Sequence, residues 1–314
     1  MKLAWLFPGQ GSQSVGMAKD VIAASPAAKR VFDEADSALG FSLSGLILEG
    51  PEEKLTLTAN AQPAIVTVST AILAALREAH PALPVPAFAA GHSLGEYSAL
   101  VASGALALAD AVRLVRARGN AMQEAVAPGE GAMSAVMGLE PEKVEALCRE
   151  AAAATNQVVS CANFNAPGQI VIAGHAAAVA KAQELASNEK GKAIPLKVSA
   201  PFHCALMAPA AKVVAAELDR VALRELAFPV VANVDAKPNA SRERVKELLV
   251  RQVDGAVRWE ASVRFMKEAG VTHALELGPG KVLAGLVKRI AKEIPVLSVG
   301  DVSAMGEVSK FLGA

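Results

Sequence analysis

The stretch Gly91-His92-Ser93-Leu94-Gly95, called the elbow below, is the feature that most constrains the fold of this 314-residue chain. It has a G-x-S-x-G pattern, with an apolar run over 86–90 that predicts a buried parallel strand and a run over 97–102 that predicts a helix. A strand that turns directly into a helix crowds its backbone, so a side chain at either glycine would clash. The turn also sets Ser93 at the positive end of a helix, where N–H groups can meet developing negative charge.

The composition excludes several classes of protein. Lys and Arg balance Asp and Glu at 31 each, so nothing indicates a nucleic-acid binder. The stretch Met1 to Pro8 is too short for the apolar region of a signal peptide, and we expect no apolar run long enough to span a membrane. Cys148, Cys161 and Cys204 lack metal-ligand or C-x-x-C spacing, which predicts reduced thiols in a cytoplasmic protein without a metal site.

Strands that alternate with helices predict an α/β fold whose mainly parallel sheet is covered on both faces. We assign this large domain to residues 1–128 and 198–314. Residues 129–197 change to a βαββαβ order, which is typical of a ferredoxin-like unit, and we interpret them as a small domain inserted into the large one. In detail, we expect strands over 158–162 and 228–234, a turn over 163–168, and helices over 62–79, 111–126 and 206–223.

A glycine-rich loop over 8–13 follows the first predicted strand, 3–7, and raises the alternative of a nucleotide-binding module. The match is poor, because Ser14 stands where the third glycine should be and no acidic residue ends a second strand. The loop is better interpreted as holding polar groups, Gln10 among them, at the carboxyl end of a strand.

Arg118 is an unexpected charge in the helix predicted over 111–126. Its neighbours at helical spacing are Ala111, Leu114, Val115 and Met122, which form the apolar face. A guanidinium there must reach solvent or meet an anion, since an unpaired buried charge is costly. Both a structural ion pair and an anionic ligand remain open.

Ser93 needs a base, because a hydroxyl is a poor nucleophile at neutral pH. His203 lies in a loop over 199–204, downstream of the serine as in serine enzymes with this elbow. His92 adjoins the serine, but adjacent residues on an elbow point apart. The other histidines are interpreted as structural, namely His80, His175 and His273.

A third group should orient the imidazole of His203. Asp235 and Asp254 are candidates by chain order alone, and a backbone carbonyl can do the same.

Six motifs in order resemble the malonyl-CoA:acyl carrier protein transacylases of fatty-acid synthesis. The resemblance covers nearly the whole chain, and it implies an α/β-hydrolase-like large domain with an inserted ferredoxin-like one. The motifs are Phe7-Pro8-Gly9-Gln10-Gly11-Ser12-Gln13, Gly91 to Glu96, Arg118-Gly119, Asn163 to Gly174, Pro201-Phe202-His203-Cys204 and Glu276-Leu277-Gly278-Pro279-Gly280.

The resemblance also implies roles for single residues. Ser93 is the nucleophile that carries a malonyl ester, and His203 is its general base and acid. Gln10 and the backbone N–H of Leu94 form the oxyanion hole. Arg118 pairs with the free carboxylate of malonate, and the backbone carbonyl of Gln252 orients the histidine in place of an aspartate.

The resemblance therefore predicts two-step malonyl exchange from coenzyme A to the phosphopantetheine thiol of acyl carrier protein. No cofactor beyond the coenzyme A thioester substrate is needed, and we expect a cytoplasmic monomer. Two rival functions stay open. A serine esterase or thioesterase would use the same elbow but has no reason to bury an arginine, and a non-catalytic nucleotide-binding module would need the loop over 8–13 as a phosphate cradle.

Overall fold

The computed structural model describes residues 1–198 and 200–313. Ser199, at the start of the loop predicted before His203, and Ala314, at the end of the predicted large domain, lie outside the described residues. The strands are β1 (Leu3–Phe7), β2 (Phe88–Gly91), β3 (Gly131–Met137), β4 (Val159–Ala166), β5 (Gln169–His175), β6 (Lys192–Pro195), β7 (Val230–Val231), β8 (Pro238–Asn239), β9 (His273–Leu277) and β10 (Val296–Val299).

Most of the helices lie outside the segment that carries β3 to β6, and they belong to the larger part of the molecule. In chain order the helices are α1 (Lys19–Ala24), α2 (Pro26–Leu39), α3 (Leu43–Glu49), α4 (Glu52–Leu55), α5 (Thr58–Ala79), α6 (Gly95–Ala102), α7 (Leu108–Glu124), α8 (Pro141–Thr155), α9 (Ala176–Asn188), α10 (Ala208–Leu218, after a 3-10 turn at Ala205–Met207), α11 (Arg242–Asp254), α12 (Trp259–Glu268), α13 (Val282–Ile290), α14 (Val302–Gly306) and α15 (Val308–Leu312).

A six-stranded sheet with the order β10-β9-β1-β2-β7-β8 forms the centre of the large part of the molecule. All its pairs are parallel except β7 with β8. Buried side chains from helices such as α2, α5 and α7 pack on one face, and side chains from α12 and α13 pack on the other. The prediction of a mainly parallel α/β sheet covered on both faces is therefore confirmed.

Helix α5 contradicts the expectation that no apolar stretch is long enough to cross a membrane. It has 22 residues and sufficient hydropathy, but 78% of its apolar window is buried inside the protein. It also begins at Thr58, four residues before the predicted start, with Pro63 inside it. Its first turn packs closely on α7, where a Cβ on Gly119 would lie 2.8 Å from the Cα of Ala59. Tertiary packing thus stabilises the turn of α5 that precedes Pro63.

A four-stranded antiparallel sheet with the order β4-β5-β3-β6 is the second layer structure. Its elements follow each other as βαββαβ, and α8 and α9 cover one face through a small apolar core. Side chains from the His203 loop cover the opposite face, namely Phe202, Cys204 and Leu206. This second sheet therefore helps to hold the loop that carries His203.

Strand β4 is longer than predicted, because Asn163 to Ala166 belong to the strand and not to a turn. Phe164 N–H donates to the carbonyl of Val257 at 2.9 Å, and Val257 N–H donates to Ala162 at 2.9 Å. These bonds to the segment between α11 and α12 satisfy backbone groups that the local sequence leaves without a partner.

Three other boundaries differ from the sequence predictions. The helix predicted over 206–223 ends at Leu218, and the strand predicted over 228–234 is only Val230–Val231. Helix α7 begins at Leu108, three residues before the predicted start, so Asp110 lies in its first turn. A carboxylate there interacts favourably with the helix dipole.

Candidate active site

The elbow has the strand–turn–helix geometry that its glycines indicate. β2 ends at Gly91, α6 begins at Gly95, and Ser93 between them has a φ of 49°. A Cβ on Gly91 would lie 1.9 Å from the carbonyl carbon of Gly95, and a Cβ on Gly95 would lie 2.0 Å from the carbonyl oxygen of Phe7. Both glycines are therefore required by close approach of backbone, and Ser93 is presented at the carboxyl edge of the parallel sheet.

Ser93 and His203 lie together although 110 residues separate them. Ser93 Oγ is 2.7 Å from His203 Nε2, and His203 Nδ1 is 2.8 Å from the backbone carbonyl oxygen of Gln252. Because a carbonyl only accepts, Nδ1 carries the proton and Nε2 is free to accept the proton of Ser93. The arrangement is a dyad held by a backbone carbonyl. Asp235 instead accepts hydrogen bonds from Lys237 and Arg244.

The environment of His203 favours its neutral form. Burial lowers the pKa of His203 to about 3, with a further contribution from the positive charge of Arg118. His203 is 4% exposed. Its backbone φ is 60°, a conformation that costs energy for a residue with a side chain of this size. A neutral imidazole facing a serine hydroxyl can act as a general base at neutral pH.

Arg118 is 1% exposed and points at the serine. Its Nη1 donates to Gln62 Oε1 at 2.8 Å, and its Nη2 donates to Ser93 Oγ at 3.1 Å and to Gln252 Oε1 at 3.0 Å. Within residues 1–198 and 200–313, no carboxylate lies within ion-pairing distance of the guanidinium, and Nε–H has no hydrogen-bond acceptor. The structural ion pair that the sequence left open is therefore absent from this part of the chain.

The two residues predicted for the oxyanion hole both line the cavity beside Ser93. The side chain of Gln10 donates to Thr58 Oγ1 at 3.2 Å. The backbone N–H groups of Gln10 and Leu94 donate to no acceptor among the described residues. They are thus available to a ligand oxygen, as the prediction requires, and their role remains a prediction.

A cavity of about 500 Å³ opens over Ser93 between the two sheets. A cavity of this size can hold a small-molecule ligand. The six-stranded part contributes Ser93, Arg118 and His203, and the four-stranded sheet contributes Met133 and Asn163. The remaining lining residues are Gln10, Gly11, Gln13, Thr56, Leu57, Gln62, His92, Leu94, Met122, Leu196, Lys197, Val198 and Phe202.

The other histidines have partners that fit structural roles. His92 points away from Ser93, and its Nε2 lies 2.8 Å from Asn165 Oδ1 on β4. His80 contacts the carbonyl of Met305 at 3.0 Å, and His175 accepts from Val158 N–H at 3.1 Å. Among the residues that the structure describes, no three His, Cys, Asp or Glu side chains form a group that could hold a metal ion.

The loop after β1 packs against the elbow. A Cβ on Gly9 would lie 2.5 Å from the carbonyl oxygen of His92, so this glycine permits contact between two loops. That contact accounts for the glycine without a phosphate ligand, which weakens the nucleotide-binding alternative.

Several polar residues of the site were missed by sequence analysis. Gln62 contacts Arg118, Asn233 contacts the backbone of Ser93, and Glu96 contacts both Asn233 and Gln252. Gln62 had a detectable signal, since it is a polar residue within the apolar run Ala61 to Val66 of α5. Asn233 had none, because it follows a strand of two residues.

An α/β fold that carries a serine–histidine dyad on an elbow defines a class that includes serine-dependent acyl-transfer enzymes and esterases. Comparison with known proteins narrows this class. Residues 4–310 match the family described as acyl transferase domain, and the chain belongs to that family.

Relatives of known name are similar in sequence to this chain over nearly its full length. The chain is 48% identical to a malonyl CoA-acyl carrier protein transacylase of Bacillus subtilis over 96% of this chain and 94% of the relative. It is 47% identical to the protein of the same name from Escherichia coli strain K12, over 97% of each chain. A solved complex of a type II PKS acyl-carrier protein with its malonyl-transacylase matches with a TM-score of 0.95, 43% identity and 100% coverage of both chains.

Proposed function

We propose that this protein transfers a malonyl group from coenzyme A to the phosphopantetheine thiol of acyl carrier protein, through an ester on Ser93, in fatty-acid synthesis. The relatives named above carry this activity in their names, and one solved relative is bound to an acyl-carrier protein. The observation that carries the proposal is the guanidinium of Arg118, buried 3.1 Å from Ser93 Oγ without a carboxylate partner in the described part of the chain. Malonate brings the missing anion, and its carboxylate fits the planar fork of an arginine.

In the first half-reaction, Ser93 Oγ attacks the thioester carbonyl while His203 Nε2 takes the hydroxyl proton. The carbonyl oxygen becomes an oxyanion, and the N–H groups of Gln10 and Leu94 donate to it. The C–S bond then breaks, His203 returns the proton to the leaving coenzyme A sulfur, and Ser93 keeps the malonyl ester.

In the second half-reaction, the carrier protein's phosphopantetheine thiol occupies the position that coenzyme A left. His203 takes the thiol proton, the sulfur attacks the ester carbonyl, and Ser93 leaves with the proton that His203 returns. The backbone carbonyl of Gln252 holds Nδ1–H throughout and stabilises the imidazolium that forms in each half. Apart from the coenzyme A thioester, the scheme uses no cofactor.

We assign the large part, residues 1–128 and 198–314, to an α/β-hydrolase-like domain and residues 129–197 to an inserted ferredoxin-like domain. The strand order β4-β5-β3-β6 and the βαββαβ sequence support the second assignment, and the elbow between β2 and α6 supports the first. The balanced charge of the sequence does not suggest a nucleic-acid partner, and a cytoplasmic monomer fits this function.

The test is mass spectrometry of the intact protein after mixing with malonyl-CoA. A stable gain of one malonyl group, followed by its loss to added holo carrier protein, is the expected result, with acetyl-CoA as the weaker donor. Prompt hydrolysis with no transfer would instead identify the serine esterase or thioesterase that remains the alternative.

A further inference from the structure

Glu96 is a buried carboxylate that the two half-reactions do not use. It is 3% exposed and lies in the first turn of α6, three residues after Ser93. Its Oε2 accepts hydrogen bonds from the backbone N–H of Asn233 at 3.0 Å and from Gln252 Nε2 at 2.8 Å. One oxygen atom therefore ties together the elbow helix, the loop after β7 and helix α11.

The two donors that Glu96 holds contact the backbone of Ser93 on both sides. Asn233 Oδ1 accepts the N–H of Ser93 at 2.7 Å, while Asn233 Nδ2 donates to the carbonyl of Gly91 at 2.7 Å. Gln252 Nε2 donates to the carbonyl of Ser93 at 2.8 Å. The φ of 49° at Ser93 is thus held by polar contacts from two other elements, since a serine rarely adopts this conformation unaided.

Gln252 carries the same network to the other two functional side chains. Its Oε1 accepts from Arg118 Nη2 at 3.0 Å, and its backbone carbonyl accepts from His203 Nδ1 at 2.8 Å. The amide can do this in one orientation only, because a flip would turn its NH₂ group toward the Arg118 donor. Glu96, which accepts from Nε2, favours the orientation that the site needs.

We propose that Glu96 is a positioning residue: through the side chains of Gln252 and Asn233 it holds Ser93, His203 and Arg118 in the single arrangement that acyl transfer requires. The proposal rests on the proposed function. The contribution comes from the accepting oxygen and its reach more than from charge. In agreement with this, burial raises the pKa of Glu96 to about 7, so a neutral side chain costs little near neutral pH.

Two substitutions separate reach from charge. Glu96→Gln removes the charge but keeps the length, and its amide oxygen can take the place of Oε2. Glu96→Asp keeps the charge but withdraws the oxygen by one methylene, so Asn233 and Gln252 lose their acceptor. We expect Glu96→Gln to stay within about threefold of wild type and Glu96→Asp to fall about 10- to 100-fold, because small displacements in a site cost that much.

The measurement is the single-turnover rate constant of malonylation at saturating malonyl-CoA, normalised to the amount of serine that can be acylated. This normalisation removes loss of folded protein from the comparison. Glu276 provides matched controls, since it is also a fully buried carboxylate and accepts from Leu283 N–H, Ala284 N–H and Ser298 Oγ, none of which lines the cavity. Glu276→Gln and Glu276→Asp should leave the normalised rate constant unchanged, whatever their effect on Tm.

Every outcome decides the question. A slow Asp variant beside a fast Gln variant supports the proposal, while the reverse order, equal slowing, or wild-type rates in both would overturn it. If Glu96→Asp does not fold, Gln252→Met keeps the backbone carbonyl for His203 and removes only the amide. That variant should be slowed about tenfold or more, and a wild-type rate there also overturns the proposal. Absence of acylation in the wild type would instead refute the proposed function, and this inference with it.

Discussion

The guanidinium of Arg118 donates a hydrogen bond to Ser93 Oγ at 3.1 Å, so the buried cation and the serine hydroxyl are direct neighbours. Ser93 Oγ also lies 2.7 Å from His203 Nε2, which carries no proton in the neutral imidazole. A cation at this distance would stabilise negative charge on a substrate attached to Ser93, and no carboxylate of the described residues lies within ion-pairing distance of it.

We expect Arg118→Ala to reduce malonylation of Ser93 much more than acetylation. The loss of a buried charged contact amounts to roughly 2–5 kcal/mol, and acetyl-CoA has no carboxylate to lose. Arg118→Lys should recover part of the rate, since it keeps the charge without the fork. The ratio of acylation rates with malonyl-CoA and acetyl-CoA is the measurement, with circular dichroism as the control for folding. An unchanged ratio would mean that another residue recognises the carboxylate.

Ser93→Ala should abolish the acyl-enzyme while the fold stays intact. The elbow presents this one hydroxyl to His203, and alanine fits the same turn. Peptide mapping after incubation with malonyl-CoA should find the label on the wild-type Ser93 peptide alone. A label on Ser12, Ser98 or Cys204 would contradict the assignment.

His203→Ala should slow acylation by about 10²- to 10⁴-fold, as expected for loss of a general base. Stopped-flow or quenched measurement of one turnover gives the rate. A value near that of the wild type would show that His92 or another group takes the proton.

The pH dependence of acylation should lack the inflection of an ordinary histidine. The base acts when unprotonated, and burial and the charge of Arg118 lower the pKa of His203 to about 3. The acid limb of kcat/KM should therefore lie well below the ordinary value of 6.5. Arg118→Met, measured with acetyl-CoA, should move this limb upward because the nearby positive charge is gone. A wild-type limb centred near 6.5 would contradict the prediction.

The same shift affects stability. Between pH 6.5 and about 3 the unfolded chain protonates this histidine and the folded one does not. The folded state binds fewer protons there, so the His203 contribution is full above pH 6.5 and is lost as the pH falls through this window.

Gly91→Ala should destabilise the protein by on the order of 3–5 kcal/mol, because the new Cβ would lie inside the backbone of the α6 turn. Gly285→Ala in α13 is the matched control, since a Cβ added there would meet no neighbouring atom within 4 Å. That variant should gain about 0.5–1 kcal/mol from helix propensity. Urea unfolding of both variants measures the difference, and equal stabilities would contradict the close approach at the elbow.

Sequence analysis predicted the parts of the site that local patterns encode. The elbow around Ser93 has a fixed spacing, and Arg118 is conspicuous as a charge on an apolar helix face. The resemblance to a known family, and not the residues alone, pointed to the backbone carbonyl of Gln252, since a carbonyl leaves no mark in a sequence. Asn233 could not be predicted, because its contacts with Ser93 and Gly91 depend on how a very short strand meets β2.

Helix and strand limits failed where tertiary contacts decide them. Strand β4 runs through Asn163 because it pairs with β5 as far as Ala166, and Val257, which is distant in sequence, bonds to its other edge. Helix α5 continues on the N-terminal side of Pro63 because α7 packs against its first turn. Local propensity contains neither partner.

The position of β1 between β2 and β9 has a consequence for synthesis of the chain. On the ribosome β1 is made long before its neighbour β9, His273–Leu277. Until then one edge of the nascent sheet offers unpaired N–H and C=O groups to other chains. Pairing of β9 with β1 closes this edge, so the exposure of the nascent sheet ends only when β9 has been made.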